Sequence, residues 1–298
     1  MSSLTHTGPD RPSTKIGVLR MQRGFMALMF GLVLAVSFGV HAQPRVISTD
    51  GGATQILFAL NVDSALVGVD VTSALPEGYR SVPNVGYHRA LSPEGVLALQ
   101  PDLVIGSEHI GPAAVLSTLA SADVAVLQLP SPDSVATLKA NVQEIAQSTG
   151  ATDHAAEVIS AIEADSQRLA AADLGAERVA FILSIEPGKL LIAGTNTAGD
   201  AFIQLLGASN IGGFDAYRTL SAEALLELNP SLILVASHEG ASPARLLELN
   251  AILEYGDAAK RGRILSVNAA NLVAGLSPGA IADAVRLADS LGQSTAAQ

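Results

Sequence analysis

The stretch Val85-Gly86-Tyr87-His88-Arg89 carries the most distinctive chemistry in the chain. A phenol with a pKa of about 10 ligates poorly until a Lewis acid takes its proton, and a hard cation such as ferric iron does so readily. Arg89, two residues on, has the reach to donate to the resulting phenolate or to pair with a carboxylate. The same residues also fit a tyrosine packed at an edge beside a solvated arginine, and the local pattern leaves both readings open. His109 and His238, 129 positions apart, offer a second chemistry: a sixth ligand to a metal held elsewhere, or a two-imidazole site for zinc or another metal. Residues 43–298 contain four histidines, His88, His109, His154 and His238. Each is expected as a rim side chain without metal, His154 solvated on its helix.

The same interval of 129 separates two copies of a longer pattern, LSPEGVLALQPDL over Leu91–Leu103 and LSAEALLELNPSL over Leu220–Leu232. In each copy a Ser stands at a helix N-cap position and a Glu follows two residues later. Apolar residues then recur at helical spacing up to a Gln or Asn and a Pro. Each copy runs on into a short apolar strand, LVIGS or LILVAS. A helix-strand unit present once in each half marks a duplicated α/β architecture. Two such lobes enclose a cleft, and sites in sheets of this kind gather beyond the C-terminal ends of the strands. His109 and His238 follow the two repeated strands closely. Arg218 takes the place in the second copy that Arg89 takes before the first, so it is expected to face the cleft from the opposite lobe; a solvated arginine ahead of a helix is the alternative. Tyr217 aligns with His88 and not with Tyr87, which argues against a symmetric two-tyrosine site. Glu94 and Glu223 are the matched acids, each in a first helical turn, where a carboxylate contributes about 0.3–1 kcal/mol.

Positioning these residues falls to alternating strands and helices. Strands are expected at Arg45–Thr49, Leu66–Val69, Leu103–Gly106 and Val124–Leu129, with helices at Thr54–Leu60, Ser92–Leu99 and Pro112–Ala120 among them. That βαβ rhythm makes a mainly parallel sheet. Ser131-Pro132 reads as the start of a further helix that ends at Gly150. Thr152 opens a long helix to about Ala172, in which Ala155, Val158, Ile159, Ile162 and Leu169 share one stripe. Such a helix would join two lobes as a stiff spine and limit their hinging. The second lobe restarts with strands Val179–Ser184 and Leu190–Ala193 and closes with a helix from Ser277 to Leu291. Gly51-Gly52, between a strand and a helix, either presents N–H groups to an anion or simply makes a tight turn.

Arg20 and Arg23 precede an uncharged apolar run, Phe25 to Val40, and Val40-His41-Ala42 suits a signal peptidase. A secretory signal peptide is expected over 1–42; the alternative, a retained anchor, needs a longer run than these 16 residues. The expected organisation is then an N-terminal lobe at 43–150, a linking helix at 151–173 and a C-terminal lobe at 174–298. The chain has no cysteine, so neither a lipid-anchoring Cys nor a disulfide is available. A monomer exported to a Gram-negative periplasm fits these features. Residues 43–298 hold 13 basic and 27 acidic residues, a net charge of −14, which argues against nucleic acid and anionic membranes as partners. G-x-S-x-G, Walker A, G-x-G-x-x-G and H-E-x-x-H motifs are all missing, so no enzyme is expected and a secreted hydrolase is disfavoured.

Read together, VGYHRALSPEGVLALQPDLVIGSE resembles the haem-binding proteins of bacterial haem ABC importers, in which a Gly-Tyr-x-Arg stretch supplies a tyrosine ligand to the haem iron. The likeness runs from RVISTDGGATQILFAL through AGTNTAGDAFIQLLG to YRTLSAEALLELNPSLILV. The general pattern is shared with cobalamin and ferric-siderophore binding proteins, and Gly-Tyr-x-Arg followed by Leu-Ser narrows it to haem. The resemblance implies two Rossmann-like lobes joined by a spine helix, the class III periplasmic binding protein fold. It implies ferric haem b as transported ligand, with Tyr87 on the iron and Arg89 and Arg218 beside the phenolate or on the propionates. His109 and His238 would then be a sixth ligand or cleft rim. It further implies that Glu94 and Glu223 meet arginines of an inner-membrane ABC permease with its cytoplasmic ATPase. Tyrosinate is an established type of haem ligand and favours ferric iron. A cobalamin or ferric-siderophore carrier is the first rival, and a zinc or manganese carrier using His109 and His238 the second.

Overall fold

Four parallel strands, β1 (Val46–Ser48), β2 (Leu66–Val69), β3 (Leu103–Ser107) and β4 (Ala125–Leu129), lie in the order β2-β1-β3-β4. Strand alternation sends Val46, Leu103 and Ile105 into one apolar layer and Ile47 and Val104 into another, so the sheet is buried on both faces, as parallel sheets are. The computed structural model describes residues 1–4, 8, 43–237 and 241–296. The expected signal segment and His238 therefore lie outside the described residues. Gln43–Gln298 cluster as one compact unit.

Helices α1 (Gly51–Ala59), α2 (Pro93–Leu97), α3 (Ala113–Ser121) and α4 (Val135–Thr149) flank this sheet. The fourth starts later than Ser131-Pro132 suggests. Its N-cap is Ser134, whose hydroxyl accepts from Thr137 N at 3.2 Å. The Pro132 carbonyl is instead taken by Leu276 N, across the cleft. The Gly51-Gly52 pair opens α1 directly, and the N–H groups of Gly52 and Ala53 are satisfied by the Asp50 carboxylate at 2.6 and 3.1 Å. They are thus taken by a cap, and a Cβ on Gly51 would meet Thr72 O at 2.9 Å. The pair serves close packing and not an anion.

The long helix α5 (Thr152–Ala171) places Ala155 and Ile162 in the first lobe's core and Leu169 in the second's. Beyond it, β5 (Arg178–Glu186), β6 (Lys189–Ala193), β7 (Ser209–Asn210), β8 (Tyr217–Leu220), β9 (Leu232–Ser237) and β10 (Ile264–Asn268) form a second sheet ordered β10-β9-β5-β6-β8, with β7 also on β5. This sheet is mixed. Only Pro187-Gly188 separates β5 from β6, far too little for a crossover, so the pair is an antiparallel hairpin with Gly188 at φ +69°. Helices α6 (Ala198–Leu205), α7 (Ala222–Leu228), α8 (Pro243–Leu249), α9 (Asp257–Lys260) and α10 (Pro278–Ala296) complete the lobe. The last also reaches the first lobe, where Ile281 joins the core beside Ile56 and Leu57. Gln55 on α1 seals the junction: its amide nitrogen donates to Asn271 Oδ1 at 2.9 Å and its oxygen accepts from Gly279 N at 2.8 Å.

Candidate ligand-binding cleft

Tyr87 sits on a short 3-10 turn, His88–Ala90, reached through Gly86 at φ +92°, a left-handed conformation that favours glycine. The turn's backbone is held from several sides. Val71 N donates to Gly86 O, Ala90 N to Tyr87 O and Gly111 N to His88 O. The last bond ties the turn to the segment after β3 that carries His109. Within the turn Tyr87 is 46% exposed and Arg89 is exposed, while His88 is buried.

His88 is therefore not the rim side chain that its position before a helix suggests. It is 4% exposed, and its Nδ1 lies 3.0 Å from Oδ2 of the fully buried Asp70. A buried imidazole needs such a partner, and Asp70 is available because it ends β2 on the cleft side. Asp70 also accepts from Thr72 N, the Thr72 hydroxyl and the Ser73 hydroxyl at 2.9–3.1 Å. Ser73 and Ser48 each lie 2.8 Å from the Thr54 hydroxyl on α1. The neighbouring Asp50 carboxyl is pushed above the usual range, chiefly by burial and also by the charge of Asp70, against the opposing pull of the Ala53 and Gly52 N–H groups and of His88. Nothing local in the sequence marked this network. Only the position of Asp70 at the end of a parallel strand, where sites gather, hinted at it.

Between the lobes lies a cavity of about 820 Å³. Its first-lobe wall is Glu108, His109, Ser131, Pro132 and Asp133; the second-lobe wall includes Phe181, Leu183, Thr197, Asp200 and Tyr217; and Leu272–Gly275 closes one side. Among the described residues its lining contains carboxylates and one imidazole but no lysine or arginine. His109 thus faces the cavity, with Nε2 4.0 Å from Glu108 Oε1. The Ser131 hydroxyl is buried without a hydrogen-bond partner among the described residues. Tyr217, which the repeat alignment set aside, is part of the wall. Its hydroxyl accepts from Gly199 N at 3.2 Å, and burial raises its phenol pKa against the pull of Gly199 and Thr197.

Tyr87, Arg89 and Arg218 are not among the residues lining this cavity. Arg218 is exposed, opposite Ile192 at the cleft end of β6, with its guanidinium 5.4 Å from the centroid of the Phe214 ring. Among the described residues neither Arg89 nor Arg218 pairs with a carboxylate. Among the described residues no three imidazole or carboxylate groups gather as a metal site. Glu94 and Glu223 are exposed in matching settings: each carboxyl is held below the usual range, first by its own backbone N–H and then by the preceding cap hydroxyl, Ser92 or Ser221.

The periplasmic binding protein family matches residues 46–269, three quarters of the chain. The chain belongs to this family. Its architecture is the class III fold, and among solved structures this binding protein is similar to the periplasmic heme-binding protein HutB of Vibrio cholerae, at 30% identity and a TM-score of 0.77, covering 84% of this chain and 99% of that one. It is also similar to a periplasmic heme-binding protein of Pseudomonas aeruginosa, at 34% identity and a TM-score of 0.75, covering 85% and 94%. Among curated proteins it is 23% identical to the uncharacterized ABC transporter substrate-binding lipoprotein YvrC of Bacillus subtilis over 63% of this chain. It is likewise 23% identical to the vitamin B12-binding protein of Pectobacterium carotovorum over 74%. The matches span 62% and 80% of those relatives' lengths. No helix among the described residues is long and apolar enough to cross a membrane.

Proposed function

We propose that this binding protein carries ferric haem between its lobes and delivers it to an inner-membrane ABC permease driven by a cytoplasmic ATPase. One observation carries the reading: a half-exposed tyrosine stands on a backbone-locked turn tied to the segment that carries the cavity-lining His109, in a chain 30–34% identical to proteins named for heme binding. Tyr87 would ligate the iron as tyrosinate, and Arg89 would donate to the phenolate or hold a propionate. Arg218 would hold the other propionate from the second lobe, and its exposure and lack of a carboxylate partner among the described residues suit it to an incoming anion. The porphyrin would lie over a cavity whose volume falls within the range of about 300–1,000 Å³ usual for small-molecule sites. His109 and His238 are the candidate sixth ligand or rim, and Glu94 and Glu223 the permease contacts. Export by cleavage after Ala42, without a lipid anchor, belongs to the same reading.

The B12-binding names among the curated relatives favour one second reading, a cobalamin carrier. Parallel titrations of the purified protein with hemin and cyanocobalamin, followed by absorbance, separate the two. Saturable growth of a Soret band near stoichiometric hemin, with no response to cobalamin, is expected. Tight cobalamin binding without a hemin response would replace haem as the cargo.

A further inference from the structure

We propose that the buried His88–Asp70 pair is a positioning device for Tyr87, in which the imidazole, held by Asp70, sets the plane and direction of the phenol ring. The inference rests on the reading of Tyr87 as haem ligand and adds to it residues that never touch the haem. A half-exposed tyrosine on a turn has two free side-chain torsions and no reason to hold one direction in solvent. Here its ring lies against the imidazole of His88, with centroids 4.4 Å apart and planes at 52°. His88 cannot swing away, because its Nδ1 is 3.0 Å from Asp70 Oδ2. Asp70 in turn is fixed by the Thr72 and Ser73 donors, and through Ser73 by Thr54 on α1. The chain of contacts thus runs from the phenol to the sheet floor.

The turn itself does not need this pair. Its backbone is held by Gly111 N to His88 O, Ala90 N to Tyr87 O, Leu91 N to Gly111 O and Val71 N to Gly86 O, bonds that involve no side-chain atom of position 88. Asp70 likewise keeps three other donors without the imidazole. Burying a carboxylate and an imidazole side by side carries a desolvation cost that an apolar side chain at 88 would avoid. What the pair adds beyond the fold is a fixed ring against which Tyr87 leans at 52°. Only a ligand whose donor direction matters gains from that.

A double-mutant cycle on the full mature protein tests the proposal, with hemin dissociation and the tyrosinate charge-transfer band as readouts. His88→Gln keeps an N–H for Asp70 but removes the ring. In the parent background it is expected to speed hemin loss by about twofold to tenfold, the range to which an aromatic pairing of ordinary strength converts, and to weaken the charge-transfer band. In a Tyr87→Phe background the same change is expected to leave the dissociation rate unaltered, because its effect passes through the phenolate. An equal acceleration in both backgrounds would show a merely structural role and overturn the proposal while leaving Tyr87 as ligand. No effect of Tyr87→Phe itself would remove the ligand reading and this inference together. If His88→Gln does not fold, NMR of the tyrosine-labelled parent decides: a single Tyr87 rotamer is expected, and free rotamer averaging overturns the proposal.

Discussion

At the scale of single residues, the phenol of Tyr87 and the guanidinium of Arg89 should separate cleanly. On the proposed haem reading, Tyr87→Phe preserves shape and removes the anionic donor, so the tyrosinate charge-transfer absorption should vanish and hemin should dissociate faster, with weakened binding left from porphyrin burial. Stopped-flow transfer to a haem acceptor measures this, and unchanged rates would remove Tyr87 from the iron. If Arg89 donates to the iron-bound phenolate as proposed, Arg89→Ala weakens that ligand's anionic form, and on acidification the tyrosinate spectrum should fade at a higher pH than in the parent. Asp50 gives a stability prediction of defined sign. Its folded pKa is raised, so the stability linked to it is present below the ordinary carboxylate pKa and is lost as pH rises through the folded value. Asp50→Asn keeps an acceptor for Gly52 and Ala53, so it should melt higher than the parent at pH 7, with the gap closing on acidification. Tyr87 and Arg89 were legible in the sequence because they lie in one short motif. Asp70 and His88 were not, because 18 residues separate them and only folding brings a strand end under a turn.

At the scale of elements, the duplicated unit is repeated down to its ends. Ser92 and Ser221 cap their helices by accepting from Gly95 N and Ala224 N, and Gln100 and Asn229 occupy the same left-handed position before a proline, at φ +47° and +42°. Asparagine tolerates that conformation better than glutamine does. Gln100→Gly should therefore raise stability by about 0.5–1 kcal/mol in urea unfolding, and a loss would mean that the side chain has a partner in solution. Ser221→Ala should cost about 0.5–2 kcal/mol through the lost cap. Helices and strands were readable from caps and apolar period. The start of α4 was misplaced by three residues because two serines compete there for the cap, and Ser134 alone has Thr137 N within reach. The antiparallel hairpin was implicit in the short gap between β5 and β6, but the pairing of β6 with β8 depends on contacts that no local pattern carries.

For the whole molecule, the two exposed glutamates stand on matching elements of the two lobes, each with its carboxyl held below the usual range by its own backbone N–H and the cap hydroxyl. Reversing Glu94 or Glu223 to Arg should leave hemin binding intact while slowing delivery to permease in proteoliposomes, and the double reversal should abolish it. Loss of hemin affinity with normal delivery would instead put these residues in the pocket. The lobes were visible in the repeat of LSPEGVLALQPDL as LSAEALLELNPSL. The junction was not: Gln55 meets Gly279 from 224 residues away, and α10 lends Ile281 to a core it does not adjoin in sequence. That junction has a consequence for traffic. With α5, α10 and Gln55 all crossing between the lobes, loaded and empty carriers should share nearly one outline, and small-angle scattering with and without hemin should superimpose. A permease that feels only outline would engage both equally, so empty carriers would compete for the same dock, and raising their number above the ligand supply should slow uptake and burn ATP without cargo.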